Sequence, residues 1–316
     1  MVSIKTPDPK EKHHESGLLI YPRLSINFLL VSLCVLYGKR FDYHGPVEMY
    51  GLYHVPNLAS SEPVMHPKIG FNNHQSRANF SVELELSKLD IMRPLIDLES
   101  KIDQRIRDIF EAAGNFYLQA LQKYGTHPES AYLDLITCGE ILSNFCDFTY
   151  DELYDNNLLK QFETIETQIE GGAAIVRDLK KRLYQVSRKF RLTLKKLLSE
   201  DFCLKNEVPE EWVKFGGLDW KTLDKQIRVA YQVRSSYVHT GQRFSEVVQV
   251  CEFEVQVGRL QINEGESREV KEFLKALNDA PTFKGLERMM RYCLIRFLET
   301  NGAIIFPSET TGLETM

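Results

Sequence analysis

Apolar positions divide the chain into a β-like opening and a long series of helical stripes. From 17 to about 86 the pattern is β-like. The apolar run at 24–37, LSINFLLVSLCVLY, is rich in Leu, Val and Phe, which suits a buried strand. The segment 47–55 is rich in aromatic and β-branched residues, and SVELEL at 81–86 alternates strictly. Gly45-Pro46 and Pro56-Asn57 punctuate these runs as turns. Helical spacing takes over beyond Pro94. Leu98, Ile102, Ile106, Ile109, Ala113, Tyr117 and Leu121 form one stripe, and Leu135, Cys138, Leu142 and Phe145 a second. The tetrapeptide Thr126-His127-Pro128-Glu129 reads as the turn between them. EFEVQV at 252–257 alternates like a further strand, and 267–278 and 286–299 return to helical spacing.

The most informative helix lies at 223–241, LDKQIRVAYQVRSSYVHTG. Leu223, Ile227, Ala230, Val233 and Tyr237 recur at three- and four-residue steps, and Gly241 can end the helix in a left-handed conformation. Near that end stand Arg234 and His239, about 140° apart around an ideal axis. They meet at one small target if the last turn loosens or if the long arginine side chain reaches round. An arginine can hold a phosphate, and histidine is the residue type that moves protons near neutral pH. Equally, a histidine at a helix C-terminus can simply serve the exposed carbonyls there.

A second stretch, 175–198, reads as one helix with Leu179, Leu183, Val186, Phe190, Leu194 and Leu197 on its apolar face. Lys181, Arg188 and Lys195 recur every seven residues opposite, with Arg177, Lys189 and other cations around them. Asp178 is the only acid between Arg177 and Lys196, so local i,i+4 partners are absent. A one-signed face of this kind suits a polyanion such as RNA; the plainer reading is a solvated helix face. Trp212 and Trp220 flank the entry to the motif helix and fit a covering role in the core better than base stacking.

Composition narrows the class. The chain has 316 residues, with 43% apolar and 26% charged residues, as in an ordinary globular protein. A formal net charge of −5 gives no global nucleic-acid footprint, so a binding surface for RNA has to be local. Six cysteines show no C-x-x-C pair and read as free thiols in a reducing compartment. The histidines, including His13-His14, His44, His54, His66 and His74, lack metal-ligand spacing, so no metal and no cofactor is expected. The run at 24–37 is too short for a membrane span and badly placed for a signal segment, which leaves no membrane contact and a cytoplasmic location as the expectation.

The motif and its flanking helices resemble the HEPN superfamily, in particular its Apea-like branch. Arg234 and His239 in RSSYVH match that family's Arg-x4-6-His signature. The stretches RIRDIFEAAGNFYLQAL and AYLDLITCGEILSNF look like its paired opening helices, and GLERMMRYCLIRFLE like its closing helix. The resemblance covers about residues 98–300. It implies a metal-independent ribonuclease acting as a homodimer, with Arg234 and His239 catalytic and Glu140, Ser235 and Tyr237 in support. It also suggests RNA cleavage in defence or stress response. Ser235 stands where active members often carry Asn, Asp or His, and a long insertion separates His239 from the closing helix.

The expected class is therefore α+β: a mainly helical HEPN-type bundle behind a smaller β-rich region. The expected divisions are a disordered lead-in at 1–16, a β-rich region at 17–88, and a helical domain at 89–302 with an insertion at about 242–266. A tail at 303–316 completes the chain. The rival expectations are a non-catalytic dimerisation or RNA-binding module of the same fold, and a regulatory partner that recognises its target through the N-terminal region.

Overall fold

The apolar run expected to be a strand is a helix, α1 (Ile26–Tyr37), in the computed structural model. The structure describes residues 26–38, 40–43, 48–49, 52–53, 103–183, 185–204, 218–244 and 265–302. Within them the regular structure is helical apart from two antiparallel two-residue strands, β1 (Glu48–Met49) and β2 (Leu52–Tyr53), with Glu48 opposite Tyr53. The α+β expectation is thereby overturned: the described chain is an all-helical bundle, not a bundle behind a β-rich region. The reason lies in the length and company of α1. Twelve residues exceed an ordinary buried strand, and Phe28, Val31, Cys34, Val35 and Leu36 are all buried. Alternation at 81–86 and 252–257, and Trp212, lie outside the described residues.

The bundle is built on a helical hairpin. α2 (Gln104–Lys123) starts at Asp103, whose carboxylate accepts the Arg105 N–H at 2.8 Å. α3 (Pro128–Ser143) follows after four residues and takes Pro128 at its first position, where a missing N–H costs nothing. Helix thus begins inside the tetrapeptide read as a turn. Short connection and long helices make the two pack side by side, with Ala113, Tyr117 and Leu121 buried on α2 and Leu135, Cys138 and Leu142 on α3.

Beyond the hairpin come α4 (Tyr150–Leu153), α5 (Asn156–Gln168), α6 (Gly172–Arg182), α7 (Val186–Leu197) and α8 (Glu200–Leu204). Tyr154, Phe162 and Val176 form a small separate core under α5 and α6. The helix expected across 175–198 is in fact two. Leu183 closes α6, and Gln185, at φ 45°, turns the chain before α7. Then follow α9 (Leu223–Thr240), α10 (Arg268–Asp279) and α11 (Phe283–Thr300). α11 packs against α1, α2, α3 and α7, while α9 lies against α3, α7 and α10.

What docks α1 is a polar clamp inside an apolar seam. Arg291 of α11 is fully buried and donates from Nε to the Val35 carbonyl at 2.6 Å and from Nη2 to the Leu36 carbonyl. These carbonyls belong to the last turn of α1, where the helix supplies no partner of its own. One turn earlier on α11, buried Glu287 accepts the Tyr117 hydroxyl of α2. Gly114 lets α1 and α2 approach, since a Cβ there would overlap Val31 Cγ1. No described helix is long and apolar enough to cross a membrane.

Candidate functional site

The motif helix α9 buries Leu223, Ile227, Ala230 and Val233, the stripe its spacing predicts. It remains regular to Thr240 and stops at Gly241, whose φ of 68° is left-handed and whose N–H bonds the Tyr237 carbonyl at 2.9 Å. A regular last turn keeps Arg234 and His239 on different sides of the axis, about 140° apart. Arg234 faces α3, with Nη2 3.5 Å from Glu140 Oε2. His239 is exposed, and its side chain forms no hydrogen bond or ion pair with any described residue. Thus Arg234 and Glu140 come together, and His239 stands apart from both within one chain.

Tyr231 completes the cluster on α9. Its hydroxyl hydrogen-bonds Glu140, and the Arg234 guanidinium carbon lies 5.6 Å from the centre of its ring. Burial, reinforced by the bond to Glu140 and that carboxylate's charge, pushes the Tyr231 phenol up to about 12, with Arg234 opposing. The phenol therefore stays protonated and donates. Glu140 holds two neighbours at once, yet the side chains of Arg234 and Glu140 remain 26% and 16% exposed. At this depth the pair is a weak bond in partial contact with water, not a sealed one. Nε and Nη1 of Arg234 bond no described residue. Sequence reasoning passed over Tyr231, although its signal was present: it lies three residues before Arg234, on the same helix face.

The supporting residues divide. Tyr237 is half-buried, its ring packed edge-on against Phe244 with centroids 5.5 Å apart. Ser235 is half-buried, and its hydroxyl shows no hydrogen bond to a described residue. Among the basic residues, Arg177 is exposed on α6, and the Lys181 side chain lies outside the description. Arg188, on α7, donates from Nε to the Glu152 carbonyl at 2.7 Å. Lys189 is half-buried on the same helix. Lys195 and Arg191 both pair with Asp224, each at 3.5 Å. The acid missing from the local sequence is thus supplied by the first turn of α9. With the chain turned at Gln185, the seven-residue recurrence no longer runs along one continuous face.

Trp220 packs against the main core, in the covering role its size suggests. Of the six cysteines, the five described are free, with Cys34, Cys138 and Cys293 buried. No three described His, Cys, Asp or Glu side chains are grouped as a metal site. Compared with protein-family models, curated proteins and solved structures, the chain matches none.

Proposed function

We propose that this chain is a metal-independent endoribonuclease of HEPN type that works as a homodimer on cytoplasmic RNA. The observation that carries the reading is the pair of groups at the end of α9. Arg234 is held by a carboxylate and still reaches water, and the His239 side chain, five residues on, is exposed and unbonded to the described residues. A second copy packed against this helix end supplies the convergence that one regular helix forbids, by presenting its own arginine or histidine to the same phosphate.

The chemistry draws on these side chains. His239 takes the proton of a ribose 2′-hydroxyl, whose oxygen attacks the adjacent phosphorus. The new 2′-oxygen–phosphorus bond forms as the bond to the 5′-oxygen breaks. The leaving oxygen takes a proton from the conjugate acid or from water, and a cyclic phosphate end remains. Arg234 grips the phosphate oxygens and stabilises the extra negative charge of the transition state through its fork of donors. Glu140 holds that fork in place, and Tyr231 holds Glu140. Defence or stress response is the setting that the family resemblance suggests.

One observation favours a second reading. The Arg234–Glu140 pair joins α9 to α3, so the arginine can serve the fold in a non-catalytic RNA-binding or dimerisation module. The deciding experiment is RNA cleavage in EDTA by the purified protein and by His239→Ala. Cleavage that vanishes in the variant while the far-ultraviolet spectrum and dimer mass stay unchanged supports catalysis. Equal cleavage by both proteins, with contaminating nuclease excluded, overturns it.

A further inference from the structure

A second arginine–glutamate pair repeats the first at the other end of α3. Beyond Gly241 the chain folds back, and Phe244 buries itself against Tyr132 and Tyr237, with ring centroids 5.5 Å apart in both cases. That anchor sets Arg243 over the first turn of α3, where its Nε donates to Glu129 Oε1 at 3.2 Å. The Glu129 side chain is 6% exposed and the Arg243 side chain 79%. The buried carboxylate thus occupies one edge of the guanidinium. Nη1 and Nη2 bond no described residue and face outward as a two-pronged donor.

The two pairs lie on one line. Glu129 and Glu140 are eleven residues apart on α3, so they share a face to within about 20° and sit about 16 Å apart along the axis. Their partners, Arg243 and Arg234, run in the opposite order along and just past α9. Between the α2–α3 turn and the end of α9 lies an open groove of about 520 Å³. Its walls carry Thr126, His127, Ser130, Tyr237, Val238 and Arg243. His127 is exposed, and its Nδ1 sits 2.9 Å from the Thr126 hydroxyl, which leaves Nε2 open. The volume falls in the range of small-ligand sites. Its mixture of a partly exposed aromatic ring, an imidazole, hydroxyls and an anchored guanidinium matches the parts of a nucleotide: a flat base, a sugar and a phosphate.

We propose that this groove is a nucleotide subsite for single-stranded RNA, in which Arg243 grips a backbone phosphate and Tyr237 and His127 flank a base. It extends the path of the strand from Arg234 along the α3–α9 seam. The choice of RNA rests on the ribonuclease reading; the grip itself rests on the groove. Arg243 acts in binding and holds no reacting atom, so its loss weakens affinity ahead of turnover.

The test is fluorescence anisotropy of the intact protein with a labelled single-stranded RNA of about eight nucleotides, within the usual span of single-strand sites. Its 2′-hydroxyls are methylated throughout, so it cannot be cut. Arg243→Ala is expected to bind about tenfold more weakly, the scale of a lost charge-assisted contact. Its salt slope should fall by about 0.7, one phosphate contact. Arg243→Lys should recover part of the affinity, and His127→Ala should lose a smaller part without changing the slope. Equal affinity and slope for wild type and Arg243→Ala overturn the subsite, as does a wild-type protein that binds no RNA. Cleavage of unmodified RNA is scored beside it. Intact cleavage with an unaltered Arg243→Ala sinks the subsite and leaves the ribonuclease reading standing. A binding loss in Arg243→Ala, from a protein that cuts nothing, sinks the ribonuclease reading and leaves the subsite.

Discussion

The α1 dock and the α3–α9 seam are both tied by arginine, and the ties differ in access to water. Arg291 is wholly buried and gives two of its donors to carbonyls at the end of α1. Arg234 and Arg243 are each anchored by a single glutamate and still reach solvent. A sealed guanidinium that satisfies buried backbone carbonyls serves the fold, because its removal strands acceptors that water cannot reach. A guanidinium held at one edge and wet at the other is a preorganised donor for an incoming anion.

The largest effect should come from breaking the dock. Arg291→Met keeps most of the volume and removes the donors to the Val35 and Leu36 carbonyls. At about 1–3 kcal/mol for each stranded acceptor, a loss of about 2–6 kcal/mol is expected. Urea denaturation measures it, and limited proteolysis should release α1 first. Arg291→Lys should recover only part, since an ammonium lacks the planar fork. An unchanged midpoint in Arg291→Met would show that apolar packing alone holds α1.

Breaking the seam should instead alter rate. Arg234→Ala is expected to slow cleavage about 100-fold, near 3 kcal/mol in the barrier if the group acts as an oxyanion donor does. Stability should change by less than about 1 kcal/mol, because the pair with Glu140 is partly exposed. If the two motifs share one composite site, mixing Arg234→Ala and His239→Ala chains should restore some activity. A stability loss as large as that of Arg291→Met would move Arg234 into the structural class and favour the non-catalytic reading.

Much of this contrast could be read from residue order, and the rest could not. The stripes of α2, α3, α9, α10 and α11 follow from apolar spacing, and Gly241 ends α9 as its chemistry suggests. The run at 24–37 misled because a mostly apolar segment shows no clear polar face, and composition alone favoured a strand; its length argued for helix. The turn at Gln185 has no Gly or Pro to announce it, so 175–198 read as one helix. The partners of the cations are long-range: Asp224 for Lys195, Glu129 for Arg243 and Glu140 for Arg234. Such pairings depend on which helices become neighbours, and periodicity within one helix carries no record of that.

Steric closeness gives an intermediate test of the dock. Gly114→Ala places a methyl against Val31, whose branched side chain has little rotamer freedom in a helix. A loss of about 1–3 kcal/mol is expected from overpacking. Gly241→Ala, at the seam, meets nothing within 4 Å, so only its left-handed backbone opposes it, at about 1 kcal/mol. Equal losses at both positions would mean that α1 has room to shift, and that the dock is looser than the seam.

The smallest effect sharpens the comparison by way of a pair between the two regions. Lys123 of α2 bonds Asp134 of α3 at 2.8 Å. Burial raises the Asp134 carboxyl above its ordinary value, against the bond and charge of Lys123. Folded Asp134 therefore holds its proton more tightly than the unfolded chain does. Its contribution to stability is fully present below the unfolded value, near pH 4, and is lost as pH rises through the folded one. Asp134→Asn keeps the shape and removes that titration. The variant should match wild type in acid and gain on it toward neutral pH, by no more than about 1 kcal/mol for a pair whose cation is partly exposed. Denaturation midpoints of both proteins between about pH 4 and pH 7 measure the difference. If wild type gains on the variant as pH rises, the ion pair outweighs desolvation even at this buried carboxylate. Glu129, which is buried more deeply beneath an exposed arginine, fastens Arg243 and adds a negative charge to the first turn of α3, where the helix dipole favours one.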